Sequence, residues 1–142
     1  MSHELLTHPI SAAEMWEELR FLASYFCERD CVDCEIYFGF AWIIDYYAGE
    51  MPIPERVSLA SLADKVLAVE KSGVGKLGSD ELYVEIAGLS FRFCDESDIH
   101  IYFETTNSMV EDFYSRWKML GYMPAEYEKL ETGQQGKRLR FN

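Results

Sequence analysis

The sequence predicts an α+β fold: N-terminal helices packed on an antiparallel sheet, with a further helix and a C-terminal hairpin. Two observations carry this prediction. Hydrophobic spacing is helical early in the chain and becomes strict alternation between Leu82 and Phe103. The segments then run helices, strands, helix, strands, a segregation that opposes a repeating βαβ parallel sheet. The 142 residues fit one domain over 1–142. A hydrophobic content of 49% gives that domain a core without metal or disulfide support.

Ser11 and Glu14 form an S-x-x-E capping box. Met15, Leu19, Leu22 and Phe26 follow at helical spacing with Trp16 beside them, which predicts a helix over 12–28. Glu17, Glu18 and Arg20 fall away from that stripe. Asp33 is a candidate cap for a second helix over 34–48, a run that is apolar nearly all round and ends at Gly49. The competing reading is a strand over 35–44, because aromatics and isoleucines favour sheets; length tips the reading toward helix. The aromatics over Tyr37–Tyr47 read as core, with a ligand pocket as the alternative.

Pro52 and Pro54 mark a linker. Ser58 or Ser61 starts a third helix with Leu59, Leu62, Val66 and Val69 as its buried stripe, ended at Ser72-Gly73. Gly73, Gly75 and Gly78 make the next stretch a loop. With Lys76 they faintly suggest a phosphate loop, but a P-loop leads from strand to helix, and this run leads from helix toward strand. Three alternating segments follow: Leu82, Val84, Ile86; then Leu89, Phe91, Phe93; then Ile99, Ile101, Phe103. Turn residues at Ala87-Gly88 and at 95–98 join them into a meander with one buried and one polar face. Asn107 or Ser108 caps a helix with the stripe Val110, Phe113, Trp117 and Leu120, stopped by Gly121. The tail predicts a hairpin of 127–131 and 138–141 around a turn at 132–136. Lys137, Arg138 and Arg140 read as exposed-edge charges that discourage edge pairing.

Charge narrows the function. The net charge is −12, which opposes a nucleic-acid binder. Residues 1–55 hold eleven acids against two bases, a field that would speed encounter with a basic partner. Glu14, Glu17, Glu18, Glu28, Asp30, Asp33 and Glu35 are the candidate partner-binding carboxylates of this half. The start of the chain lacks the basic and apolar regions of a signal peptide, and no apolar run is long enough to span a membrane. Four cysteines in such a chain are expected as reduced thiols in the cytosol.

Two clusters could carry chemistry. Cys27, Cys31 and Cys34 follow the C-x3-C-x2-C spacing that holds an iron–sulfur cluster in radical S-adenosylmethionine enzymes. The chain is short for the barrel of those enzymes, and Asp33 stands where they carry an aromatic. A zinc site would need a fourth ligand such as Cys94. The leading expectation is plain reduced thiols and no cofactor. The second cluster is the polar face of the meander, where alternation places His100 with Tyr83, Glu85, Arg92, Asp98, Tyr102 and Glu104. It could bind a small ligand, or His100 could act as a general acid or base. His3 and His8 fall in a terminus expected to be loose.

Over residues 89–122 the run LSFRFCDESDIHIYFETTNSMVEDFYSRWKMLGY resembles the strand–strand–helix segments of small bacterial toxin-immunity proteins. The resemblance covers about a quarter of the chain. It implies a cytosolic inhibitor that blocks a cognate toxin, often a nuclease with a basic cleft, by presenting acidic side chains in place of phosphates. It transfers no functional residue by position.

Overall fold

The computed structural model describes residues 2–39, 46–128 and 137–141. Eight strands form one antiparallel sheet: β1 His3–Leu6, β2 Asp33–Phe38, β3 Glu55–Ser58, β4 Leu82–Ile86, β5 Leu89–Phe93, β6 Ile99–Phe103, β7 Ala125–Glu128 and β8 Lys137–Phe141. Their order is β3-β2-β4-β5-β6-β1-β7-β8. The described helices are α1 Ala12–Cys27, α2 Leu62–Lys71 and α3 Ser108–Met119. The α+β fold and a helix packed on an antiparallel sheet are therefore observed.

Helix α1 starts where its capping box requires. Glu14 N–H donates to Ser11 Oγ (3.1 Å), and Ser11 N–H donates to Glu14 Oε1 (2.9 Å). Met15, Leu19, Leu22 and Phe26 are buried. A 3-10 turn, Leu59–Ser61, leads into α2, whose expected stripe is also buried. Asn107 Oδ1 caps α3 by accepting from Val110 N–H (3.0 Å), and Gly121 ends it in the left-handed region (φ +79°). Leu120, expected in the stripe of α3, is instead 41% exposed, and Tyr122 turns inward.

The core lies between the helices and one sheet face. Phe113 of α3 stands at its centre, with ring centroids 5.4 Å from Phe21, 5.0 Å from Tyr25, 5.1 Å from Phe91 and 5.9 Å from Trp117. Phe26 of α1 meets Phe91 at 5.9 Å, so α1 and α3 cover the same face, and α2 packs beside α1. The opposite face, called outer below, carries none of these helices. Among the described residues no helix is long and apolar enough to cross a membrane.

Four expectations are corrected. Residues 33–38 are strand and not helix: Cys34, Ile36 and Phe38 are buried while Glu35 and Tyr37 face outward. Tyr37, an aromatic on the outer face, had filled the gap in the alternation and made the run look apolar all round. The rest of that run, 40–45, lies outside the described residues. The linker after Pro54 contains an edge strand, β3, paired with β2; the prolines precede it and so remove no ladder hydrogen bond. The terminus holding His3 is not loose, because β1 is inserted between β6 and β7. Last, Arg140 is no simple edge charge. It donates to Glu111 (2.8 and 3.0 Å) and Glu126 (3.0 Å) and stacks on Tyr114 at 3.7 Å, tying β8 to α3. The hairpin's first strand starts two residues earlier than expected and its second strand one residue earlier, and its turn lies outside the described residues.

Candidate site on the outer sheet face

Register places the outer-face side chains in two rows that cross the strands. The first runs Tyr37, Tyr83, Arg92, His100, Leu6. The second runs Arg56, Glu35, Glu85, Ser90, Tyr102, Glu4, Tyr127, Arg138. The expected cluster of Tyr83, Glu85, Arg92, Asp98, His100 and Tyr102 is thus brought onto one surface. Glu104 sits just past the end of β6 and is exposed.

The polar groups of this face hold one another. Tyr37 stacks on Tyr83 with centroids 4.4 Å apart and planes 8° from parallel. Tyr83 O–H donates to Glu81 Oε2 (2.9 Å), whose other oxygen accepts from Arg92 Nη2 (2.5 Å). Arg92 Nη1 reaches Tyr102 Oη at 3.4 Å, and Tyr102 stacks on His100 at 6.0 Å. The His100 ring lies between two carboxylates, Nδ1 at 2.8 Å from Glu4 Oε2 and Nε2 at 3.1 Å from Asp98 Oδ2. Both contacts are hydrogen bonds at once only when both ring nitrogens carry hydrogen. Burial opposes the charge on Arg92, but its bonds to Tyr102 and Glu81 outweigh it and raise its pKa. Burial, then the bond to Glu81, raises that of Tyr83.

Sequence reasoning missed Glu4, Tyr37 and Glu81. Glu81 continues the alternation of Tyr83 and Glu85 one step before β4, so its parity was a usable signal. Glu4 meets His100 across 96 positions of sequence, and no local pattern carries that. Gly39 is also part of this construction. Its N–H donates to Glu81 O (2.8 Å), and an added Cβ would collide with the Cβ of Glu81. The absence of a side chain lets the chain pass close enough to hold Glu81 against Arg92.

The seven early carboxylates do not share a surface. Glu18 is 3% exposed and locked inside: Arg116 binds it through Nε (3.1 and 3.2 Å) and Nη2 (2.7 Å), and Trp117 Nε1–H donates at 2.7 Å. Glu14 is committed to the capping box, which lowers its pKa. Glu17 is exposed on α1; Glu28 and Asp30 are exposed beyond its far end, where Asp30 takes a positive φ of 65°. Asp33 pairs with Arg56 (3.2 Å). Glu35 is exposed on the outer face, directly across the ladder from Glu85. Two carboxylates opposite one another repel and cost stability. A small cleft of about 150 Å³ opens between them, lined also by Asp33, Cys34 and Arg56.

The cysteines do not converge as the spacing suggested. All four are free. Cys27 is exposed at the end of α1, Cys31 is half-buried in the following loop, and Cys34 is buried on the core face of β2. Their sulfurs form no group of three within 4.8 Å. Cys94 follows the parity of Arg92 and so belongs to the other side of the sheet from Cys34. Burial pushes the Cys34 thiol up to about 11 and, with the carboxylates of Asp95 and Asp98 beside it, the Cys94 thiol up to about 12. Neither is a ready nucleophile at neutral pH. The glycine loop holds its own acceptors: Leu77 N–H donates to Glu70 (2.7 Å) and Lys76 N–H to Asp80 (2.9 Å).

No family model, no curated protein and no solved structure matches this chain.

Proposed function

We propose that this protein is a binding protein that neutralises a basic protein partner, of the immunity type, and that the partner docks on the outer sheet face. One observation carries this reading: a face free of the described helices, on which tyrosines and Arg92 contact one another, crossed by the apposed carboxylates Glu35 and Glu85. Tyrosine and arginine dominate interface energetics, and prior ordering lowers the entropy lost on binding. Arg56, across the ladder from Glu35, is paired with Asp33, and a cationic group of the partner between Glu35 and Glu85 would relieve their mutual repulsion. The electrostatic role read from the acidic first half therefore falls to Glu35, with Glu85 as its companion, and not to the helical carboxylates.

A binding role fits better than catalysis at His100. Both imidazole nitrogens face carboxylates, Arg92 is engaged by Glu81 and Tyr102, and the neighbouring Cys94 thiol holds its proton. A cytosolic setting belongs to the same reading and suits four free thiols.

The test is calorimetric titration against the protein encoded beside this chain, at low and moderate salt. Glu35→Gln with Glu85→Gln is expected to weaken binding at least about tenfold, or 1.4 kcal/mol. Glu17→Gln with Glu28→Gln is expected to leave affinity within about threefold, as exposed charges remote from a contact do. Loss of binding in the helical variant, or no binding by the wild-type protein, overturns the proposal.

A further inference from the structure

The hairpin between β5 and β6 gathers three donors of different chemistry. Cys94 and Asp98 close its turn, with Cys94 N–H donating to Asp98 O (2.8 Å) and Ser97 N–H donating to Cys94 O (3.1 Å). His100 stands two residues further on, so alternation sends its side chain to the same face. The Cys94 sulfur, a carboxylate oxygen of Asp98 and an imidazole nitrogen of His100 all lie within 4.8 Å of one another. A tetrahedral zinc site with bonds of 2.0–2.3 Å needs such atoms about 3.6 Å apart. Rotation about the side-chain bonds closes that difference.

An independent observation points to a ligand here. Asp98 is only 8% exposed, and while its Oδ2 meets His100 Nε2, its Oδ1 is buried with no hydrogen-bond partner. Buried carboxylate oxygens in folded proteins are nearly always satisfied, so this one calls for a donor or a cation. The other side of the ring is also prepared. Glu4 Oε2 lies 2.8 Å from His100 Nδ1. A carboxylate on the distal nitrogen is the arrangement that orients a metal-binding histidine and raises its basicity.

We propose that Cys94, Asp98 and His100 form a divalent metal site of the zinc type, with Glu4 as the positioning residue for the imidazole. One sulfur, one nitrogen and one oxygen donor select zinc or a similar borderline cation over calcium or magnesium. Three protein donors leave a fourth position for water or for Asp95, whose carboxylate oxygen lies 3.2 Å from the Cys94 sulfur. Binding transfers the thiol proton to solvent, and the imidazole ligates through Nε2 in the tautomer whose Nδ1–H faces Glu4. The site goes beyond the partner reading and does not depend on it.

The experiment uses the reduced, chelator-stripped full chain titrated with Co2+ and then Zn2+. One equivalent of Co2+ is expected to bind and give a thiolate-to-cobalt charge-transfer absorption, which one equivalent of Zn2+ removes and Mg2+ does not. Cys94→Ser should abolish the band, Glu4→Gln should keep it with about 10–100-fold weaker affinity, and Cys27→Ser with Cys31→Ser should leave it unchanged. A wild-type protein without the band overturns the proposal, as does a band that survives Cys94→Ser. Native mass spectrometry of the wild-type protein provides a second readout: a one-zinc adduct is expected, and its absence overturns the site.

Discussion

Glu18 shows what a single charged side chain does inside this core. Helix α1 carries it beneath α3, where three contacts from Arg116 and one from Trp117 occupy both of its oxygens. Arg116 also lies over the Phe21 ring at 3.8 Å, so the pair joins the aromatic cluster to the surface. Removing one partner leaves a buried indole N–H and a half-buried guanidinium without acceptors. Glu18→Ala is therefore expected to lower stability by about 2–4 kcal/mol, seen as a lower urea midpoint with an unchanged slope. A variant as stable as the wild type would contradict the role. Position 18 was misread from sequence because spacing treats every charged residue as outward-facing. Its acceptors' partners sit 98 and 99 positions away.

At the scale of elements, the meander was legible because its local signals agree. Each of its three strands buries alternate residues, and the turn between the first two is two residues long. Ala87 and Gly88 have φ of 51° and 78°, the signature of a type I′ turn matched to strand twist. Alanine is strained in the left-handed region, whereas asparagine adopts it readily. Ala87→Asn is expected to stabilise the fold by about 1 kcal/mol, measured by denaturant unfolding; a destabilised variant would argue against the turn assignment. Strands β1 and β3 hold four residues each, too few to display a period. Strand β2 has enough residues, but Tyr37 stacks on Tyr83 on the outer face, so its polar side is partly aromatic. Where both faces are apolar to the eye, helix and strand patterns converge.

The whole molecule responds to alkali through groups distributed across the core and both sheet faces. Burial, followed by Asp112, pushes Tyr25 up to about 12; burial, followed by Glu14, does the same to Tyr122. The thiols of Cys34 and Cys94 are raised from 9.0 to about 11 and about 12, chiefly by burial. The folded chain thus keeps protons that the unfolded chain releases from pH 9 to 10 upward. Stability from these groups is complete below pH 9 and declines as pH rises toward 12. The unfolding midpoint is expected to be lower at pH 10.5 than at pH 8; equal midpoints would show that these groups ionise to the same extent in both states.

Fold class, the meander, the capped starts of α1 and α3 and the buried stripes of α1 and α2 were determined by the sequence alone, because period and capping report which side of a local segment is buried. The membership of the outer face was half legible for the same reason: parity within β4, β5 and β6 groups Tyr83, Arg92 and His100. Strand order and register were decided only by the tertiary structure. They set Glu35 against Glu85, bring Glu4 to His100, separate Cys34 from Cys94 and draw Glu18 out of solvent. Those relations depend on which distant segments bury one another's surfaces, a choice made by the whole core and invisible to any window of neighbouring residues.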